Sequence, residues 1–205
     1  MAGGKQSARQ KMINLMYLVF IAMLALNMSK EVLTAFGVMD ERLADANLAS
    51  TARNSAFMEN LATKASEQPE QYTAVKNKAD QINGLGADLT SFIDGLKAQM
   101  MATVKPDDQD NYEVQDKADF LDQTLFNGDN FSPTGKEFIA KMNAYREGVL
   151  ALVGTDYPLI AQDVEKKFST ADVRRKSDNV KSPWLNYQFE GFPLIASKTK
   201  LSQIQ

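Results

Sequence analysis

The chain has 205 residues, enough for one or two domains, and its 44% hydrophobic and 24% charged residues are ordinary for a protein with a packed core. It contains no cysteine and no histidine, which excludes disulfides, thiolate metal sites and imidazole bases. Composition therefore disfavours catalysis, and we predict a non-enzyme without cofactor or metal. The formal net charge is −3, yet the only charged residues before position 12 are Lys5, Arg9 and Lys11.

Residues 12–29 form an uncharged, largely apolar stretch that follows this basic start. As a helix rising ~1.5 Å per residue it would span roughly 27 Å, close to the ~30 Å hydrocarbon core of a bilayer. We therefore predict one transmembrane helix at 12–29, with residues 1–11 cytoplasmic and residues 30–205 on the far side. In a Gram-negative bacterium the far side is the periplasm. Arg9 then lies at or just inside the hydrocarbon edge.

A cleaved signal peptide is the alternative interpretation of this segment, because a basic start followed by an apolar stretch is typical of both. Two features disfavour cleavage. The small residue Ala25 is followed by Leu26 and Asn27, which does not match a small-x-small cleavage site. Apolar residues also continue at helical spacing from Val32 to Leu43. We therefore predict a retained anchor whose helix continues into the next domain.

Two long helices are predicted for the first half of the chain. The first should continue to about Ser66, because the residue before Pro69 resists helical backbone angles. The second carries apolar residues at steps of three and four from Tyr72 to Met100, which is the cleanest helical periodicity in the chain.

The next part of the chain should alternate turns and helices. Residues 105–113 are acidic and turn-rich, and they precede a short helix over 116–126 and an Asn-Gly-Asp-Asn turn at 127–130. A third long helix is predicted over 132–154, with serine as its N-cap, proline at its first position and glycine as its stop.

The last part should hold a short helix over 158–168, a basic loop at 174–181 and a final helix that begins at Pro193. The basic loop is more typical of an ordinary surface than of nucleic-acid binding. The aromatic group at 184–192 is more typical of a cap that seals a bundle than of a ligand platform. Since no run of alternating β-branched residues occurs, we predict an all-α helical bundle over 30–205.

Arg9 is the main candidate for a functional residue. An isolated arginine near the end of a membrane helix would ordinarily extend to the lipid headgroups. However, Arg9 lies on the same helical flank as Tyr17, and Asn14 adds an amide nearby. Polar groups in such a helix usually face protein, because hydrocarbon offers no hydrogen bonds. We therefore predict a partner in the membrane, contacted mainly by Arg9 and Tyr17, with Asn14 and Lys11 as weaker candidates.

Both ends of the chain resemble a known family. Residues 1–37, MAGGKQSARQKMINLMYLVFIAMLALNMSKEVLTAFG, resemble the start of the GldM/PorM family of the Bacteroidota gliding-motility and type IX secretion machinery. Residues 189–205, FEGFPLIASKTKLSQIQ, resemble the end of that family's first periplasmic domain. One departure is Ser7 and Ala8, where family members often have Thr-Pro. The resemblance also implies further, β-rich periplasmic domains after this region, which would contact secretion components at the outer membrane.

The resemblance implies a subunit of a rotary inner-membrane motor driven by the proton motive force. A homodimer of such helices is expected inside a ring of GldL/PorL-type subunits that supply a membrane-embedded glutamate. Arg9 matches the family arginine that pairs with this glutamate, so the protonation of the glutamate would depend on whether Arg9 faces it. A passive, membrane-anchored scaffold that tethers secretion components without moving is the alternative function.

Overall fold

The computed structural model describes residues 8–176 and 179–205, except for the side chains of residues 8 and 22–29. Helices account for 78% of the structure and strands for 4%, which confirms the prediction of an all-α bundle. The helices are α1 (Ala8–Glu67), α2 (Pro69–Ala102), α3 (Asp119–Leu125), α4 (Pro133–Val153), α5 (Pro158–Lys167), α6 (Trp184–Phe189) and α7 (Leu194–Ile204). Between α2 and α3 lie two single 3-10 turns, Pro106–Asp108 and Tyr112–Val114.

Helices α1 and α2 form a long antiparallel hairpin, with α1 continuous over 60 residues. The break falls at Gln68, whose backbone is not helical (φ −134°, ψ 71°), because the ring of Pro69 disfavours helical angles in the preceding residue. Pro69 then occupies the first turn of α2, where its missing N–H costs nothing. The predicted continuity through the uncharged stretch and the predicted stop near Ser66 are both confirmed.

Helix α4 begins and ends at the predicted signals. The Ser132 Oγ accepts a hydrogen bond from the Gly135 N–H at 3.0 Å, and Gly154 ends the helix with a positive φ of 53°. Gly135 also lets α3 approach, since a Cβ at this position would lie 2.2 Å from the Leu125 carbonyl oxygen. The start of α4 therefore fixes α3 against the bundle.

The main core lies between α2, α3, α4, α6 and α7, with Phe138 of α4 near its centre. The Phe138 ring lies 5.6–5.7 Å from the rings of Phe92, Trp184 and Phe189, in tilted or edge-on arrangements. Trp184 and Phe189 thus close the core, as predicted for the aromatic group, whereas Tyr187 is exposed. Helix α6, which carries these residues, was not predicted.

The bundle also contains two short antiparallel strand pairs, which were not predicted. Strand β1 (Phe126–Asn127) pairs with β2 (Asn130–Phe131), and β3 (Val173–Arg174) pairs with β4 (Lys181–Ser182). Each strand has two residues, which is too short to show the alternation of apolar and polar residues that identifies a strand in a sequence. The first pair brackets the predicted turn at 127–130, and the second brackets the predicted basic loop.

Across the described residues, none of the helices is both long enough and apolar enough to cross a membrane. The predicted span 12–29 includes residues 22–29, whose side chains lie outside the described residues. Residues 1–7 of the predicted cytoplasmic start lie outside them too.

Candidate functional site

The predicted site residues all lie on the first turns of α1, but on different sides of it. At about 100° per residue, Arg9 and Tyr17 are about 80° apart and share one flank, whereas Lys11 and Asn14 point about 140–160° away from Arg9. The Asn14 Oδ1 accepts a hydrogen bond from Gln10 Nε2 at 3.3 Å. Arg9 and Tyr17 therefore share a flank about two turns apart, Asn14 lies about 60° around the helix from Tyr17, and Lys11 lies on the side opposite Arg9.

These side chains are exposed and do not contact the bundle. Tyr17 is 67% exposed, and within the described part of the chain Arg9 and Lys11 form no ion pair or hydrogen bond. Among the residues that the structure describes, none supplies an anion for Arg9. Whatever this end of α1 binds must come from outside the described residues.

Farther along, α1 is held to α7 by a buried polar contact. Asp40 is only 5% exposed, and its Oδ1 accepts a hydrogen bond from the Ser202 Oγ at 2.6 Å. Its Oδ2 forms an ion pair with Lys198 Nζ at 3.0 Å, a side chain that is 21% exposed. A carboxylate this deeply buried requires such partners, because leaving it unpaired would be very costly.

Two further hydrogen bonds extend this contact along α1. The Thr199 Oγ1 shares its proton between the Ile195 carbonyl of its own helix at 2.8 Å and the Phe36 carbonyl of α1 at 3.0 Å, and the Asn47 Nδ2 donates to the Ser202 carbonyl at 2.8 Å. We call these contacts, together with those of Asp40, the α1–α7 clamp. It spans three turns of α1 and fixes the register between the two helices.

Helix α2 adds a cation beside the clamp. Burial lowers the pKa of Lys97 from its ordinary value, and the charges of Asp40 and Asp94 partly oppose this effect. The Lys97 Nζ donates to the Gln205 Oε1 at 2.8 Å, and Gln205 Nε2 donates in turn to Asp94 at 2.6 Å. The end of α7 is thereby tied to α2 as well as to α1.

A second contact joins α1 to the segment between α2 and α3, at a point shortly after the predicted span. The ring of Tyr112 lies against Gly37, where a Cβ would come within 2.1 Å of it. The Tyr112 hydroxyl donates to Glu41, and this bond, with burial, raises the pKa of Tyr112 to about 12. Lys30 and Glu113 form an exposed ion pair at 3.1 Å. The segment between α2 and α3 is therefore docked on α1.

The same segment also accepts hydrogen bonds from the first backbone N–H groups of α7. The Leu194 N–H donates to the Lys117 carbonyl at 2.9 Å, and the Ile195 N–H donates to the Gln115 carbonyl at 3.3 Å. Helix α7 is thus connected to α1 both directly, through the clamp, and indirectly, through the docked segment.

An apolar stripe on α1 remains uncovered. Val32 and Met39 are each 52% exposed, and Ala46 continues the stripe at the same spacing of seven. This face lies about 100° around the helix from the clamp residues. Apolar residues repeated every seven positions are typical of a surface that pairs with another helix.

Sequence reasoning did not identify the clamp, although a signal was present. Leu33, Asp40 and Asn47 lie at steps of seven, so that two polar residues occupy the positions where an apolar residue would continue the buried face. Polar side chains on the buried face of a helix need hydrogen-bonding partners, which here come from α7.

The comparisons with known proteins agree with this picture. A family model, the GldM N-terminal domain, matches residues 31–205, whereas a comparison with curated proteins finds no match. This family belongs to the gliding-motility and type IX secretion machinery. It is not a known enzyme family. The match confirms the resemblance to this family and includes residues 189–205, whereas residues 1–30 lie before the matched region. The chain therefore belongs to the GldM family, with residues 31–205 matching its N-terminal domain.

Proposed function

We propose that this chain is the drive subunit of a rotary inner-membrane motor that is powered by the proton motive force and serves type IX secretion and gliding. One observation carries the proposal: α1 is a single helix from Ala8 to Glu67, so Arg9 and the α1–α7 clamp lie on the same rigid element. Residues 12–29 of this helix cross the membrane, and residues 30–205 lie in the periplasm.

Arg9 is the input of the motor. A ring subunit supplies a glutamate within the membrane, and the exposed guanidinium of Arg9 is free to pair with it. A proton crossing ~100 mV releases about 2.3 kcal/mol, which can bias a rotational step but cannot by itself break a fully buried ion pair. Protonation of the glutamate therefore has to weaken the pair before the helix moves on.

The α1–α7 clamp is the output. Rotation or tilting of the membrane end of α1 reaches the bundle through Asp40, which is buried and bonded to two residues of α7. Directional bonds resist sliding between the two helices better than apolar contacts alone, because a shift of register leaves buried polar groups unpaired.

The apolar stripe of Val32, Met39 and Ala46 supports a homodimer within the ring. Two copies that pair along this stripe would cover it, and the pairing would extend the contact between their membrane helices. Two central helices cannot satisfy every glutamate of a ring of different symmetry at once, and this mismatch would keep the assembly turning.

The test is to replace Arg9 in cells. Arg9→Ala should leave the complex assembled, as judged by purification with its ring partner, but should abolish secretion and gliding. Lys5→Ala is the matched control, because it removes a positive charge from the same basic start of the chain at a residue outside the predicted site. Full activity of Arg9→Ala would refute the pairing role. Transport that also continues under an uncoupler would identify the chain as a passive scaffold instead.

A further inference from the structure

A cavity of about 500 Å3 opens between the end of α5 and helices α6 and α7. It lies on a different face of α7 from the clamp, since its wall contains Lys200 and not Lys198 or Ser202. Ligand-binding pockets of proteins commonly have volumes of 300–1,000 Å3, mostly apolar walls and a few placed polar groups. This cavity combines an apolar floor with lysines and side-chain amides.

Lys200 is the unusual residue of this cavity. Its half-buried Nζ donates to the Gln188 carbonyl and lies 3.2 Å from the centre of the Phe192 ring. Among the described residues no carboxylate is paired with it. Burial lowers the pKa of Lys200 to about 8. A half-buried cation without an anion is unfavourable, and a bound carboxylate would relieve it.

The other walls indicate what would carry that carboxylate. Phe168 and the exposed 8% of Trp184 border the cavity with apolar ring surface, which suits an aromatic or aliphatic body. Gln188 and Gln203 contribute amides that can donate and accept at once, as peptide groups require. Lys167 lines the cavity too, but its exposed side chain is already paired with Asp163 at 3.3 Å.

We propose that this cavity binds a peptide segment of a partner protein, with an acidic side chain on Lys200 and a neighbouring aromatic side chain against Trp184. Charge complementarity selects this occupant, because Lys200 has no carboxylate partner among the described residues and the described lining of the cavity contains no acidic residue. The proposal does not depend on the motor role. Docking of a peptide at this site would recruit a partner to the bundle whether or not the bundle moves.

Trp184 makes the proposal directly measurable, because it is the only tryptophan of the chain. The whole chain in detergent would be titrated with acetyl-Phe-Glu-Phe-amide and with its neutral analogue acetyl-Phe-Gln-Phe-amide, following tryptophan fluorescence. We expect about tenfold tighter binding of the acidic peptide, since a charge-assisted hydrogen bond replaces a neutral one. Lys200→Met should abolish this preference. Lys136→Met, which removes an exposed lysine outside the cavity lining, should retain it.

The preference should also depend on pH. It should persist below pH 8 and disappear above it, as Lys200 loses its proton. The lining from α4 and α6 contributes Met142, Trp184 and Gln188, which do not titrate, and α5 contributes Lys167. Equal binding of the two peptides, no binding of either, or an unchanged preference in Lys200→Met would each overturn the proposal. Equal competition by acetate alone would also overturn it, because a small anion would then suffice.

Discussion

Asp40→Ala should be among the most damaging single substitutions in the bundle. Removing one partner of a buried ion pair costs about 3–5 kcal/mol, because the other charge is left uncompensated. Here Lys198 is 21% exposed and can reach water, which lowers this part to about 2 kcal/mol. The Ser202 hydroxyl also loses its acceptor, which adds about 1 kcal/mol. The expected loss is therefore about 3 kcal/mol in the free energy of unfolding.

Two matched variants isolate the origin of this loss. Asp40→Asn keeps an acceptor for Ser202 but removes the charge, so it should cost about 2 kcal/mol. Asp80→Ala breaks the exposed pair of Lys76 and Asp80 within α2, which should cost no more than about 0.5 kcal/mol. Urea unfolding of the whole chain in detergent, followed by circular dichroism, measures all three values. If Asp40→Ala is no more destabilising than Asp80→Ala, the clamp does not hold α1 to α7.

A double-mutant cycle tests the pairing itself. Asp40 and Lys198 should show a coupling energy of about 1–2 kcal/mol when Asp40→Ala is combined with Lys198→Met. An additive result would mean that the burial of Asp40, rather than its bond to Lys198, accounts for the loss.

Four further substitutions test the local packing and the contact of Tyr112. Gly135→Ala should lower the free energy of unfolding by about 2–4 kcal/mol in thermal unfolding, since its Cβ would meet a backbone carbonyl. Gly84→Ala should instead stabilise α2 by about 0.5–1 kcal/mol, because the space around Gly84 is open. Gly37→Ala should expel the Tyr112 ring and increase amide exchange in the docked segment; unchanged exchange would contradict the packing. Because the folded pKa of Tyr112 is raised from 10 to about 12, its contribution to stability is complete below pH 10 and is lost as the pH rises through 12. Tyr112→Phe should remove this alkaline dependence in urea titrations.

Much of the helical layout could be predicted because its signals are local. Pro69 separates α1 from α2, while Ser132 and Gly154 mark the ends of α4 through the backbone angles and caps that these residue types favour. The two strand pairs and α6 could not be predicted in this way. Strands of two residues and a helix of six are too short to show a period, and packing against the core decides their conformation.

The candidate site divides in the same manner. Arg9 could be identified as a candidate because an arginine beside a long uncharged, apolar stretch is unusual, and this is visible in the sequence. The spacing of Leu33, Asp40 and Asn47 indicates that Asp40 is buried, but its partner could not be predicted, because Asp40 and Ser202 are 162 positions apart and nothing local relates them. The unusual environment of Lys200 could not be predicted either. The burial that lowers its pKa arises only when α6 and α7 pack together.

The clamp lies partway along α1, so it separates the turns before Phe36 from the turns after Asn47. In the proposed motor, a torque applied at the membrane end of α1 would pass to α7 between Phe36 and Asn47, where the bonds of the clamp begin and end. The remaining turns, out to Glu67, lie past the clamp and pack against α2 within the hairpin. The inner part of α1 would then connect the membrane to α7, and the outer part of the hairpin would extend beyond this connection.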